Sequence, residues 1–351
     1  MLNNLGIYIH IPFCEKKCNY CDFYSFCADA SLKERYVIAL LREISRWGDY
    51  LNRPADSLYL GGGTPSVLPQ KSLCDIYGAV QKSFGTPQSA TIEVNPGDKV
   101  DFAALPFNRI SVGVQSFNDK ELAALGRRHN GASARQTLLC AKKHIEDVSA
   151  DLMLGIPFQT KQSVEENLKI LIDCGVTHIS AYMLKREKGT PFYTSDLPFL
   201  DEGQTADLYL FVCDFLKSYG FERYEISNFA KKGFYSAHNM KYWTGQDYLG
   251  LGPSAHSKLL DRRFYYDRDI EGYINAPVEI TEGDAGGEDE KIMLLLRTNI
   301  GCDFSGNKKL QPFLKRLQDE GLVTTVGSRT VLTDKGALLS NEIITQILIK
   351  K

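Results

Sequence analysis

The chain has 351 residues, which at roughly 150 residues per domain predicts about two domains. With 43% hydrophobic and 24% charged residues it is neither disordered nor fibrous. Its 41 basic and 43 acidic residues give a net charge of -2, which excludes a protein that gathers nucleic acid or anionic membrane by overall charge. Nine cysteines, an odd number, without a secretory leader argue against a disulfide framework.

No apolar run reaches the roughly 18 residues of a membrane span, so a cytoplasmic protein is expected. Peripheral contact with a membrane through partner proteins stays open. The first strand is Gly6-Ile7-Tyr8-Ile9-His10-Ile11. A helix follows, with Ser31 and Glu34 as a capping pair and Leu32, Tyr36, Leu40 and Ile44 at four-residue steps, ending near Trp47. Further strands are expected at Leu58–Leu60, Thr91–Val94, Arg109–Val114, Ala150–Leu154 and His178–Met183. Between them lie helical patterns, one near 70–84 and one capped by Ser163 and Glu166. Such alternation predicts an α/β protein with a curved or barrel-like parallel sheet, whose ligands bind at the strand C-terminal ends.

After a strand-like run at Phe221–Ile226, an irregular region rich in Gly, Tyr and His extends to about residue 275. Thr281–Glu290 reads as an acidic linker ending in the first turn of a helix. The remaining helix, helix, hairpin and helix order resembles a winged helix. Its few basic residues, Lys308, Lys309, Lys315 and Arg316, form an ordinary solvated face, so no nucleic-acid partner is expected.

Three cysteines fall within eight residues, C-E-K-K-C-N-Y-C, directly after the first strand: Cys14, Cys18 and Cys21. Three thiolates in one loop can hold three irons of a cubane cluster and leave the fourth open to a small chelator. Zinc held with Cys27 as a fourth ligand, or a redox pair at Cys18 and Cys21, fits the spacing less well. Cys74, Cys140, Cys174, Cys213 and Cys302 are isolated and read as packing residues.

C-x3-C-x2-C with an aromatic before the last Cys resembles the radical S-adenosylmethionine (SAM) superfamily. So do Y-I-H-I-P-F-C, G-G-G-T-P-S, I-E-V-N-P, V-G-V-Q-S-F and D-L-M-L-G-I-P in this order. With the winged segment, the whole chain is similar to the branch that holds the anaerobic coproporphyrinogen III dehydrogenases and a family of heme chaperones. The resemblance implies a partial (β/α)6 barrel over 1–235, a connecting region with a heme motif over 236–280, and a winged-helix-like domain over 281–351. It further implies a 4Fe-4S cluster on Cys14, Cys18 and Cys21, its open iron chelated by SAM. The SAM residues implied are Gly62, Gly63 and Thr64 of the glycine run, Glu93, Gln115 and Asp151 at strand ends, and Arg127 for the carboxylate. Tyr8 and Tyr20 are candidates for packing on adenine or the cluster, although an aromatic on a strand also serves the core.

Two features separate the branches. The dehydrogenases carry a cysteine two positions after the third cluster ligand, where this chain has Phe23. H-N-M-K-Y-W, His238 to Trp243, matches the heme motif of the chaperones. An imidazole can ligate heme iron and aromatic rings can stack on a porphyrin, so His238 is the candidate heme ligand and His256 a second one. The expectation is a heme chaperone that delivers heme to apo-heme proteins such as respiratory cytochromes. Oxidative decarboxylation of coproporphyrinogen III is the enzymatic alternative, and homodimerisation is left open.

Overall fold

The computed structural model describes residues 5–351. Six parallel strands stand side by side in chain order: β1 (Leu5–Ile11), β2 (Ala55–Gly62), β3 (Ser89–Val94), β4 (Arg109–Gln115), β5 (Asp147–Leu154) and β6 (His178–Met183). Their connections carry helices α1 (Ala30–Leu51), α2 (Gln70–Phe84), α3 (Asp119–Ala124), α4 (Gly131–Lys142) and α5 (Lys161–Asp173), and α6 (Glu202–Ser218) follows β6. This is the expected partial (β/α)6 barrel. Strand residues such as Ile7, Ile9, Leu58, Leu60, Ile92 and Val112 are fully buried because helices cover the outer face and side chains fill the inner one.

Helix α1 buries Tyr36, Leu40, Ile44 and Trp47 along one stripe, as their spacing predicts. Its cap is Asp29, whose carboxylate accepts from Leu32 N at 2.8 Å, and not Ser31; the helix runs on to Leu51, where Asn52 closes it in the left-handed region. Ser163 is likewise the third residue of α5, bonded reciprocally with the cap Thr160.

Residues 221–284 are more regular than their composition suggests. Strands β7 (Phe221–Arg223) and β8 (Asn228–Lys231) extend the sheet antiparallel beyond β6. After α7 (Ala237–Trp243), β9 (Tyr248–Leu251) pairs parallel with β1 on the opposite edge. Next come β10 (His256–Leu259), β11 (Arg262–Tyr266), α8 (Ile270–Asn275) and β12 (Glu279–Asp284), giving one sheet of 12 strands. The segment read as an acidic linker therefore ends, from Glu288, in the acidic first turn of α9 as expected, while its first part, Thr281 to Asp284, is in the edge strand β12. Charged, exposed side chains suit that place because an uncovered apolar edge would pair with other chains. Helix α1 ties this extension down: Trp47 stacks on Phe264 and donates to Tyr266 Oη, which donates to buried Glu43.

The C-terminal part has its own buried cluster between Ile292 and Ile347. Helices α9 (Glu288–Leu295), α10 (Gln311–Asp319), α11 (Asp334–Leu338) and α12 (Ser340–Lys350) surround a sheet ordered β13 (Cys302–Asp303), β15 (Arg329–Leu332), β14 (Val323–Val326), a winged-helix arrangement. Lys315 and Arg316 each pair with an acid one turn along α10. This part docks on the β7–β8 end of the sheet through Arg223, which bonds Asp334 at 2.6 Å and Leu332 O at 2.9 Å, and through a bridge between Glu225 and Thr298. Among the described residues no helix is long and apolar enough to cross a membrane.

Candidate functional site

Strand β1 ends at the loop bearing Cys14, Cys18 and Cys21, and the glycine run at the end of β2 holds that loop in place. Gly63 N donates to Ile11 O and Thr64 N to Phe13 O, both at 2.8 Å. A Cβ on Gly63 would lie 2.6 Å from Phe13 O and 2.8 Å from Ile11 O, so only glycine lets the two segments meet. Gly62, at φ 110°, leaves room for the ring of His10. That ring bonds Tyr24 O at 2.8 Å and Tyr8 Oη at 3.0 Å, and its burial pulls its pKa down to about 4. His10 is thus a neutral strut beneath the loop.

A cavity of about 410 Å³ opens at the C-terminal ends of the strands. Its wall includes Cys14, Cys18, Cys21 and Tyr20 from the loop, Gly62, Gly63 and Thr64 from the glycine run, and Glu93, Gln115, Arg127 and Asp151 from the sheet side. The structure thus gathers into one cavity nearly all the residues implied for the cluster and SAM. Tyr8 is the exception: it lies outside this lining, with Tyr59 and His238 rings at 6.2 and 6.3 Å.

The lining suits a cationic, hydroxyl-bearing ligand. Glu93 accepts from Tyr59 Oη at 2.8 Å and Gly62 N at 3.2 Å, yet its burial, reinforced by Asp151, pushes its pKa up to about 7. Burial pushes Asp151 to about 6 despite hydrogen bonds from Ser180 and Ser111. Two carboxyls held this way are short of positive charge, which an ammonium or sulfonium would supply. Gln115 has a left-handed backbone, φ 65°, and a buried Oε1 without a partner among the described residues, as a side chain awaiting a donor would.

Arg127 reaches the other side of the cavity. It donates to Asn95 Oδ1 at 2.6 Å and Gly113 O at 2.5 Å, and its Nη1 lies 3.5 Å from Cys18 Sγ. The neighbouring Arg128 instead forms surface ion pairs with Glu15 and Asp98. Cys14 Sγ is 3.5 Å from Thr64 Oγ1, and burial pushes the Cys21 thiol up. All three cysteines are free and half-buried, whereas Cys27 is exposed, donates to Glu15 O and stays outside the cavity. Among the described residues no three His, Cys, Asp or Glu side chains are close enough to share one metal ion. A cubane, which spreads its thiolates over three separate irons, fits free cysteines around a cavity better than one zinc does.

A second cavity of about 500 Å³ lies between the β6–β8 end of the sheet, α7 and the C-terminal helices. Asn239, Tyr242 and Trp243 of the H-N-M-K-Y-W segment line it, and Tyr182 and Met183 belong to its wall and to that of the first cavity. Tyr182 is 42% exposed although it sits on β6, so its ring stands in open space between the two. Neither Tyr182 nor Met183 has a motif around it, and only the fold reveals their place.

His238 does not face this second cavity. It is 1% exposed, its Nδ1 bonds Ser57 Oγ at 3.1 Å, and its Nε2 bonds Tyr242 Oη at 2.7 Å. Burial pulls its pKa down to about 3. Both ring nitrogens are thus engaged in this conformation, and the imidazole joins Ser57 on β2 to Tyr242 in the wall of the second cavity. His256 is on β10, between β9 and β11, stacked on Tyr265 and 3.4 Å from Glu282, and belongs to neither lining.

Known proteins agree with this fold and motif set. The radical SAM superfamily model matches residues 8–171. The heme chaperone HemW of Bacillus subtilis (strain 168) is 31% identical over 368 residues, covering 96% of this chain and 97% of that protein. HemW of Buchnera aphidicola subsp. Acyrthosiphon pisum is 30% identical over 299 residues, with 80% of each chain covered. Among solved structures, the coproporphyrinogen III oxidase HemN of Escherichia coli superposes with a TM-score of 0.82 at 22% identity, covering 99% of this chain and 90% of that one. The chain belongs to the radical SAM superfamily and, within it, to the family of the HemW proteins.

Proposed function

We propose that the protein is a heme chaperone of the cytoplasm, one that binds heme and passes it to apo-heme proteins such as respiratory cytochromes. The observation that carries this reading is the pair of adjoining cavities: one collects the three cysteines and all the implied SAM residues but Tyr8, and the other is lined by Asn239, Tyr242 and Trp243 of the H-N-M-K-Y-W segment. The names of the relatives support it. In this proposal residues 1–235 hold the cluster and SAM, 236–280 present the motif, and 281–351 close the second cavity.

Cys14, Cys18 and Cys21 would hold a 4Fe-4S cluster, with Arg127 offsetting thiolate charge near Cys18. When bound, the cluster supplies an open iron for the amino and carboxylate groups of SAM and a one-electron couple. Glu93 and Asp151 would face the cationic and hydroxyl groups of SAM, and Gln115 would use its free acceptor. Heme would sit in the second cavity against Tyr242 and Trp243, whose rings suit a porphyrin face.

The test is anaerobic reconstitution followed by hemin titration by absorbance and a coproporphyrinogen III turnover assay on the same preparation. Stoichiometric hemin binding without turnover supports the chaperone. Protoporphyrinogen formation without hemin binding overturns it in favour of the dehydrogenase.

A further inference from the structure

The second cavity contains one cationic side chain, Arg297, which follows α9 at the edge of the C-terminal core. Its guanidinium is half-buried and donates only to neutral oxygens, Met293 O and Asn341 Oδ1, both at 2.8 Å. Among the described residues no carboxylate pairs with it, although most other half-buried arginines here have one, as Arg223 and Arg263 do. The one acid in the lining, Glu225, is turned instead to Ser227 N and Asn228, and burial pushes its pKa up. Burial also pulls the Arg297 pKa down, the mark of a charge taken from water without a counter-charge.

A second feature of the same wall favours an anion. Ser340 and Asn341, which line the cavity, open the 11-residue helix α12, and no side chain caps its start. The dipole of α12 adds positive potential beside the guanidinium, offset in part by the first-turn acid Glu342 and by the C-terminal end of α11, which meets α12 at Leu339. Elsewhere the lining includes the aromatic and apolar side chains of Tyr182, Trp243, Met183, Ile226 and Leu338, interspersed with the neutral polar Ser227, Asn228 and Asn239. A flat apolar body with a carboxylate edge matches this division of polarity.

Resting on the heme reading above, we propose that Arg297, with the open start of α12, is the carboxylate anchor of the second cavity and seats the propionate edge of heme against the C-terminal helices. A planar guanidinium can hold a carboxylate through two parallel hydrogen bonds, and Arg297 has donors to spare beyond the two it uses. The anchor fixes which edge of the macrocycle faces the C-terminal part and directs the opposite edge toward Tyr182 and the first cavity.

The experiment compares hemin with hemin dimethyl ester, which keeps the macrocycle and lacks the carboxylates, by absorbance titration of the unsubstituted protein, Arg297→Gln and Arg297→Lys. The unsubstituted protein is expected to bind hemin at least tenfold more tightly than the ester. Arg297→Gln should lose that preference while binding the ester as before, and Arg297→Lys should keep part of it. Equal affinity of the unsubstituted protein for both probes overturns the anchor, and it does so even if the variants fail to fold. An unchanged preference in Arg297→Gln also overturns it, as does an equal loss of both probes. If the unsubstituted protein binds neither probe, the heme reading falls and takes this inference with it.

Discussion

The Nε2 atom of His238 lies 2.7 Å from the hydroxyl of Tyr242, one turn further along α7. This bond holds a ring of the second cavity's wall to the inner face of the barrel, because Nδ1 of the same imidazole is bonded to Ser57 on β2. His238→Ala should lower stability by about 2–4 kcal/mol, since it opens a void and leaves two buried hydroxyls without their partner. Chemical denaturation measures that loss. In His238→Gln the absorption maximum of bound hemin should stay where it is, and a shifted maximum would show that the imidazole reaches the iron after all.

The cluster ligands divide the cysteines sharply. Serine at Cys14, Cys18 or Cys21 should abolish iron and sulfide incorporation and the broad visible absorbance of the cluster after anaerobic reconstitution. Cys27→Ser should incorporate as much iron as the parent, because its thiol lies outside the cavity. Equal loss in all four variants would point to a different ligand set.

Two glycine replacements should have opposite signs. Gly63→Ala places a methyl against backbone oxygens of the cysteine loop, so it should cost about 1–3 kcal/mol and reduce iron incorporation. Gly78→Ala in α2 meets nothing within 4 Å and should stabilise by about 0.5–1 kcal/mol. Thermal melts with iron analysis test both.

The buried Glu93 makes a signed pH prediction for the cofactor-free chain. Its pKa of about 7 in the fold lies above the unfolded value near 4.5, so the folded state binds the extra proton between them. Its contribution is complete below about pH 4.5 and declines as pH rises to about 7. Glu93→Gln removes that decline, so the stability difference between parent and variant should shift in favour of the variant between pH 5 and 8. A difference independent of pH would show that Glu93 titrates normally. Adding SAM should lower the Glu93 pKa and shrink the effect, because a nearby cation favours the carboxylate.

The six barrel strands were legible in the sequence because each is a short β-rich run bounded by turns. The cysteine loop was legible because three thiols so closely spaced suit a cubane cluster better than they suit zinc or a disulfide. Strands β9 to β12 were not. They are four to six residues long, and β12 has the acids and glycine of a loop because it forms an edge that must stay unattractive to other chains. The caps slipped by a few residues for a related reason: Asp29 and Thr160 compete with Ser31 and Ser163 for the same role, and only backbone direction decides between them. The sequence also identified His238 as a histidine in a heme motif, but whether an imidazole lends its lone pair to a metal depends on hydrogen bonds from Ser57 and Tyr242, which are distant or ambiguous in the linear chain.

Tyr182 and Met183 form part of both cavities. A side chain common to two walls turns two binding events into one thermodynamic cycle. If filling the first cavity rotates Tyr182 and changes heme affinity by some factor, heme must change the affinity for the first ligand by that same factor. SAM in such a protein need not be consumed to matter, since its occupancy alone could decide when the cargo is held and when it is let go.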